Sequence, residues 1–144
     1  MLINAALLAS LNVTRKQFDA RVAQIVTLLS CNDKAVLAAC VRLYGHQTWA
    51  EKLADRTTDD NGVGFQEMDA KFGSRMARVL MSGREVFPHN MPRLRRMARK
   101  YRRQLAVMSF RKERAAKAAV AEAEAFVKAA GEPCPATMRS ACAA

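Results

Sequence analysis

The segment PRLRRMARKYRRQLA, residues 92–106, carries the clearest helical pattern in the chain. On a helical wheel its apolar side chains fall within an arc of about 100°, as expected for a helix with one face on a protein core. Asn90 and Pro92 mark its start, as an N-cap and a first-turn proline. The predicted inward face extends to residue 108 and consists of Leu94, Met97, Ala98, Tyr101, Leu105 and Met108.

The opposite half of this helix is almost purely cationic. It has no acidic residues one turn away to form local pairs, so its like charges repel one another. Six of its seven cations are arginines, whose guanidinium groups match the geometry of phosphate oxygens. We therefore predict a nucleic-acid-binding face formed by Arg93, Arg95, Arg96, Arg99, Lys100, Arg102 and Arg103.

Almost all of the net charge of the chain, +11, lies in this region. Residues 93–117 contain eleven basic side chains and one acidic side chain, Glu113, so we extend the predicted site to Arg111, Lys112 and Arg114. Neutralising about six phosphates would give a log–log salt slope near −5 on a duplex and a shallower slope on a single strand. A solvated basic face and a docking site for an acidic protein are the alternative interpretations.

Composition favours an all-α fold. The 144 residues are 51% hydrophobic but only 6% aromatic, and alanine, leucine, methionine and arginine are common. We predict a small helical bundle with a long, strongly basic C-terminal helix. The predicted parts are a helical domain over 1–110 that includes the start of the basic helix, an alanine-rich helical extension over 111–131, and a flexible tail over 132–144.

Local signals divide the bundle into helices. Thr14 and Gln17 form a capping-box pattern, Asn32 or Asp33 caps the next helix, and Gly45 ends it. A helix over 48–56 and one over about 67–81 follow, and then a single helix from about 91 to 130, because no glycine or proline interrupts it. The helix over 67–81 is predicted to bury Met68, Phe72, Met76 and Val79 or Leu80.

A set of motifs in residues 44–106 resembles a small helical module of phage and mobile-element proteins that handle DNA, including helicase- and recombination-type proteins. The resemblance implies a DNA-associated accessory module and no assigned reaction. This chain differs in its longer N-terminal part, its more arginine-rich last helix, and the lack of a motor domain. The matching residues are Gln47, Thr48, Glu51, Asn61, Gly62, Gly64, Phe65, Asp69, Ala70, Phe72, Lys100, Tyr101, Gln104 and Leu105.

The loop NGVGF, residues 61–65, is glycine-rich without being a nucleotide-binding motif. It lacks the preceding strand and third glycine of a dinucleotide fingerprint and the Gly-Lys-Ser/Thr of a P-loop. A tight turn with Phe65 inward is the main interpretation, and backbone contacts of Asn61, Gly62 and Gly64 with a phosphate are the alternative. Phe87 and Trp49 are candidates for stacking on unpaired bases, although a core position is favoured for Trp49.

No catalytic or metal-binding arrangement stands out. His46 and His89 lack identifiable partners, and a two-metal nuclease needs more converging carboxylates than the turn-forming aspartates offer. The cysteines lack zinc-site spacing, and Cys31 and Cys40 are expected to be buried thiols. We predict a protein that is not an enzyme and uses no cofactor and no metal.

These observations favour a non-catalytic nucleic-acid-binding protein of phage or mobile-element type, with DNA as a better candidate than RNA and single-stranded or non-specific binding expected. One alternative is an anti-defence or host-takeover protein that inhibits a host nucleic-acid enzyme. The other is an assembly protein that oligomerises through the C-terminal helix. The first twelve residues lack a basic leader, and their apolar run is too short to span a bilayer, so we expect no membrane contact and a location in the cytoplasm, that of the host if phage-encoded.

Overall fold

The structure, a computed structural model, describes residues 3–47 and 64–130, with side chains to residue 125. These residues form six α-helices and one 3₁₀ turn without a strand, which confirms the all-α prediction. The predicted helix over 48–56, Trp49, Asn61, Gly62 and the tail over 132–144 lie outside the described residues. The helices are α1 Ala5–Leu11, α2 Arg15–Cys31, α3 Asp33–Gly45, α4 Glu67–Met81, α5 Met91–Lys100 and α6 Arg102–Ala130, with the 3₁₀ turn Pro88–Asn90 before α5.

Helix starts agree with the local sequence signals at α2 and α3. Thr14 and Gln17 form the predicted capping box, in which Gln17 Oε1 accepts from the Thr14 N–H at 2.8 Å and Thr14 Oγ1 accepts from the Gln17 N–H at 3.3 Å. Asn32 Oδ1 accepts from the Ala35 N–H at 3.1 Å and caps α3. Asn90 occupies the predicted N-cap position of α5 and also ends the 3₁₀ turn, but its side chain makes no cap bond.

The larger core joins α2, α3, α4, α5 and the start of α6. Val36, Leu43, Phe65 and Leu94 are fully buried in it, and Phe65 lies inward as predicted. Cys40 belongs to the same core, and burial raises the pKa of its thiol to about 12. Cys31, also expected to be buried, is exposed at the end of α2, which corrects that prediction.

Helix α4 buries Met76 and packs Phe72 and Leu80 against this core as predicted, but Met68 departs from the prediction. Met68, expected inside, is 86% exposed, whereas small residues at helical spacing are buried. Gly73 explains the choice, because a Cβ there would lie 2.6 Å from Cζ of Phe65. The ring fills the space against the helix backbone, so small side chains face inward. The buried positions of α4 are Ala70, Gly73, Ser74, Met76 and Ala77.

A second core lies between α1, α2 and α6. The Phe18 and Phe110 rings stack with centroids 6.2 Å apart, and Leu11, Ala106 and Val107 complete the cluster. Residues 104–107 of α6 are all buried, because this part of the helix packs on both cores. The sequence pattern predicted that Leu105 and Met108 face inward, but it did not predict the burial of Val107 and Phe110.

The predicted continuous helix over 91–130 is interrupted at Tyr101. Its N–H donates to the Ala98 carbonyl at 3.1 Å, three residues back, and its backbone leaves α-helical geometry at φ −90° and ψ 12°. The Tyr101 side chain is held by contacts with residues distant in sequence. No local sequence signal predicts these contacts. The prediction of one uninterrupted helix was wrong for this reason.

The chain divides into two compact units, Met1–Phe110 and Arg111–Ala144. The first contains both cores. In the second, residues 111–130 are helical, and the side chains of residues 111–125 are exposed. Taken singly, none of the described helices has the length and apolar character needed to cross a membrane, and the pair α2 and α3 passes that test only jointly, with a bend of 118° between them.

Candidate nucleic-acid interface

Three buried residues fix the orientation of α5. Leu94, Met97 and Ala98 are 0–4% exposed and lie in the larger core. Their neighbours in the helix, Arg93, Arg96 and Arg99, therefore face solvent. Both Arg102 and Arg103, in the first turn of α6, are exposed as well, because Tyr101 and Leu105 hold this turn on the core.

Among the described residues, two of the seven predicted cations are paired with carboxylates of the protein. Arg95 bonds to the Asp33 carboxylate and the Ser30 carbonyl at the junction of α2 and α3. Lys100 Nζ lies 2.8 Å from Asp69 Oδ2 on α4. Both acids are more than thirty positions away in sequence, so a search one turn along the helix missed them. The candidate interface is correspondingly smaller than the sequence predicted.

The other five cations differ in their surroundings. Arg93 lies over the Phe72 ring, with its guanidinium carbon 4.0 Å from the ring centroid, and Arg102 Nη1 donates to the Arg99 carbonyl at 3.2 Å. Within residues 3–47 and 64–130, the guanidinium groups of Arg96, Arg99 and Arg103 have no ion-pair or hydrogen-bond partner. These three are the charges that an external anion would meet first.

A surface depression of about 500 Å³ lies along one side of α5. Its walls combine guanidinium groups with an apolar surface of proline and methionine. Such a mixture suits a nucleotide, which presents a charged phosphate beside a less polar sugar and base. The lining residues are Pro88, Met91, Pro92, Arg95, Arg96 and Arg99.

No family model, curated protein or solved structure gives a significant match to this chain.

Most of the described motif residues meet at one junction. Tyr101 Oη donates to Asp69 Oδ2 and accepts from the Gln66 N–H, each at 2.8 Å, and its ring meets that of Phe65 edge-on at 5.9 Å. Burial, with Asp69 adding to it, raises the pKa of Tyr101, so the phenol keeps the proton that it donates. The motif thus joins α4 to the α5–α6 break.

Gly64 belongs to the same junction. The carboxamide of Gln104, in the orientation that hydrogen bonding requires, accepts from the Gly64 N–H and donates to its carbonyl. Gly64 has φ +87°, and a Cβ there would lie 2.9 Å from Cγ of Gln47. Its N–H already has a partner, so we remove Gly64 from the predicted phosphate contacts.

The remaining predicted candidates are exposed or already bonded within the protein. Arg111, Lys112 and Arg114 are exposed in the second unit. His46 is exposed just after α3, and Asp69 is engaged by Tyr101 and Lys100. In the described part of the chain, no three His, Cys, Asp or Glu side chains are placed to hold a metal ion together.

The sequence also missed two arginines near α5. Arg75 on α4 and Arg84 after it line a groove with Arg93 and Phe87. They come from separate elements, and no spacing rule connects them. Of these four lining residues, Arg93 and Phe87 were candidates from the sequence, and Arg75 and Arg84 were not.

Proposed function

We propose that this chain is a non-catalytic nucleic-acid-binding protein of phage or mobile-element type. It would bind DNA, single-stranded or without sequence preference, through the outward face of α5 and the first turn of α6. The observation that carries the proposal is the set of exposed guanidinium groups of Arg96, Arg99 and Arg103, none of which has a partner in the described chain.

Phosphate binding is the chemistry that these groups perform best. Each guanidinium presents a planar fork of N–H donors that matches two phosphate oxygens. Bringing three such groups onto one face without acids concentrates positive potential there, and a polyanion relieves their mutual repulsion. Arg102, bonded only to a carbonyl oxygen, keeps its full charge beside them.

The internal ion pairs change the expected strength of binding. Arg95 and Lys100 each already face a carboxylate, so we assign them mainly to fixing α5 on α3 and α4. Four arginines then neutralise phosphates, which gives a log–log salt slope of about −3 for a single strand. Arg111, Lys112 and Arg114 would add to this slope if the second unit also contacts the strand.

A charge-matched pair of variants tests the proposal. The site variant carries Arg96→Ala, Arg99→Ala and Arg103→Ala, and the control carries Lys16→Ala, Lys34→Ala and Arg42→Ala, which are exposed positions on α2 and α3. Binding of a labelled oligothymidine is measured by fluorescence anisotropy at several salt concentrations. We expect the site variant to lose about two units of salt slope and the control to resemble the wild type.

Two results would contradict the proposal. Equal losses in both variants would show that net charge, and not this face, attracts the oligonucleotide. Salt-independent binding, or none, by the wild type would remove nucleic acid as the partner and favour an acidic protein surface instead.

A further inference from the structure

A second depression lies on the other side of the α5 start. It has a volume of about 540 Å³ and runs between α4 and the segment that leads into α5. Pro88 lines the first depression and its neighbour His89 lines the second, so the two adjoin across this turn. The groove therefore borders the face that we propose to bind phosphates.

Two aromatic rings that line this groove, those of Phe87 and His89, stack on each other. The Phe87 side chain is 69% exposed, and its ring stacks on that of His89 with centroids 5.7 Å apart and planes 13° from parallel. His89 lies beside the phenyl ring, and at this exposure most of Phe87 is open to solvent. Neither of the two hydrophobic cores includes Phe87. Packing in a hydrophobic core therefore does not explain why position 87 is a phenylalanine.

The charges around these rings are mainly positive. Arg75, Arg84 and Arg93 line the groove, with Glu85 as the one acid among its lining residues. Arg84 Nε donates to Ser82 Oγ at 3.0 Å, which orients the guanidinium group, and no carboxylate of the described residues pairs with it. Arg93, with its guanidinium carbon over the Phe72 ring, is exposed to solvent and so accessible to a ligand.

We propose that this groove is a base-stacking subsite and that the protein thereby selects single-stranded nucleic acid. An unpaired base would lie on the open face of Phe87, while Arg84 and Arg93 contact the flanking phosphates. Open aromatic faces beside cations are the usual means by which proteins hold unpaired bases without reading their sequence. A base within a duplex is already stacked on both faces and cannot enter. This inference rests on the proposed function and adds the class of strand to it.

Measuring the affinity of each protein variant for each ligand separates the contribution of base stacking from that of phosphate binding. The two ligands are an oligothymidine of about 12 nucleotides and an abasic oligonucleotide of the same length, which keeps the phosphates but lacks the bases. The two main proteins are the wild type and Phe87→Leu, which keeps an apolar side chain but loses the aromatic face. Met81→Leu, at an apolar position that is 66% exposed and outside the groove, is the control.

We expect the wild type and Met81→Leu to bind the oligothymidine about tenfold more tightly than the abasic strand. Phe87→Leu should lose most of this preference and bind the abasic strand as the wild type does, whereas Phe87→Trp should keep it. A duplex of the same length should bind the wild type and Phe87→Leu equally.

Other results would overturn the inference in distinguishable ways. If Phe87→Leu keeps the full preference for bases over abasic sites, the stacking subsite is refuted while the proposed function stands. If the wild type binds none of the three ligands, both fail together. If the duplex loses affinity as much as the single strand in Phe87→Leu, Phe87 acts in a way that does not select unpaired bases.

Discussion

Tyr101 connects the break between α5 and α6 to the start of α4 through one hydroxyl group. It donates to the Asp69 carboxylate on α4, accepts from the Gln66 backbone before α4, and ends α5 at its own position. A hydrogen bond to a charged group contributes more than a neutral one, and a lost donor leaves its partner unsatisfied. Its phenol is therefore a structural element of the fold.

We predict that Tyr101→Phe lowers the free energy of unfolding by about 2 kcal/mol, because the Gln66 N–H and the Asp69 carboxylate both lose a partner. Urea denaturation followed by circular dichroism measures this change. Lys100→Ala is the control, since it removes the other partner of the same carboxylate at a side chain that is 45% exposed, where ion pairs contribute less than about 1 kcal/mol. A smaller loss for Tyr101→Phe than for Lys100→Ala would refute this role.

At the level of residues, the sequence predicted large buried side chains better than small or polar ones. Phe18, Leu29 and Leu94 lie inside as their periodicity indicated. Ser74 and Gln104 are buried too, but only because Gln47 and Gly64 supply their hydrogen-bond partners. Such partners come from distant parts of the chain, so a periodicity of apolar residues cannot reveal them.

Among the helices, α2 begins where its local sequence signals predict. Its capping box is formed within four residues, and the structure contains both predicted bonds. The break at Tyr101 is the opposite case, since the contacts that accompany it come from residues 65–69. Local rules therefore predicted where α2 starts but not where α5 ends.

We predict that Thr14→Ala destabilises the protein by about 1 kcal/mol, because the Gln17 N–H at the start of α2 loses its acceptor. Thr27→Ala in the same helix is the matched control. Thr27 is exposed, and its hydroxyl bonds only to the Ala23 carbonyl, so its loss should change stability by less than about 0.5 kcal/mol. Thermal and urea unfolding measure the stability of both variants. Equal losses of stability in the two would argue against a stabilising role for the capping box.

For the whole molecule, the sequence located the cationic face but overestimated its size. The wheel correctly separated buried Leu94 and Met97 from exposed Arg96 and Arg99. It treated Arg95 like the others because it carries no information on which helices pack nearby. Asp33 is close to Arg95 only after α3 has folded against α5. Pairing between helices is a tertiary property, and a helical wheel carries no information from which it could be predicted.

We predict that a chain ending after residue 114 keeps the stability of the full chain to within about 0.5 kcal/mol. Both cores lie before residue 111, and the side chains of residues 111–125 are exposed. Urea unfolding of the two chains tests this expectation. A marked loss of stability would show that the removed segment packs on a folded surface, and a lower mass in light scattering would identify another copy of the chain as that surface.

The contact between Phe65 and Gly73 has a consequence for how this protein evolves. The ring leaves no room for a side chain on α4, since an added methyl carbon would overlap it at 2.6 Å. Alanine or serine at position 73 would therefore require the Phe65 ring to shift or a smaller residue at position 65. We expect the two positions to covary among relatives that keep this bundle.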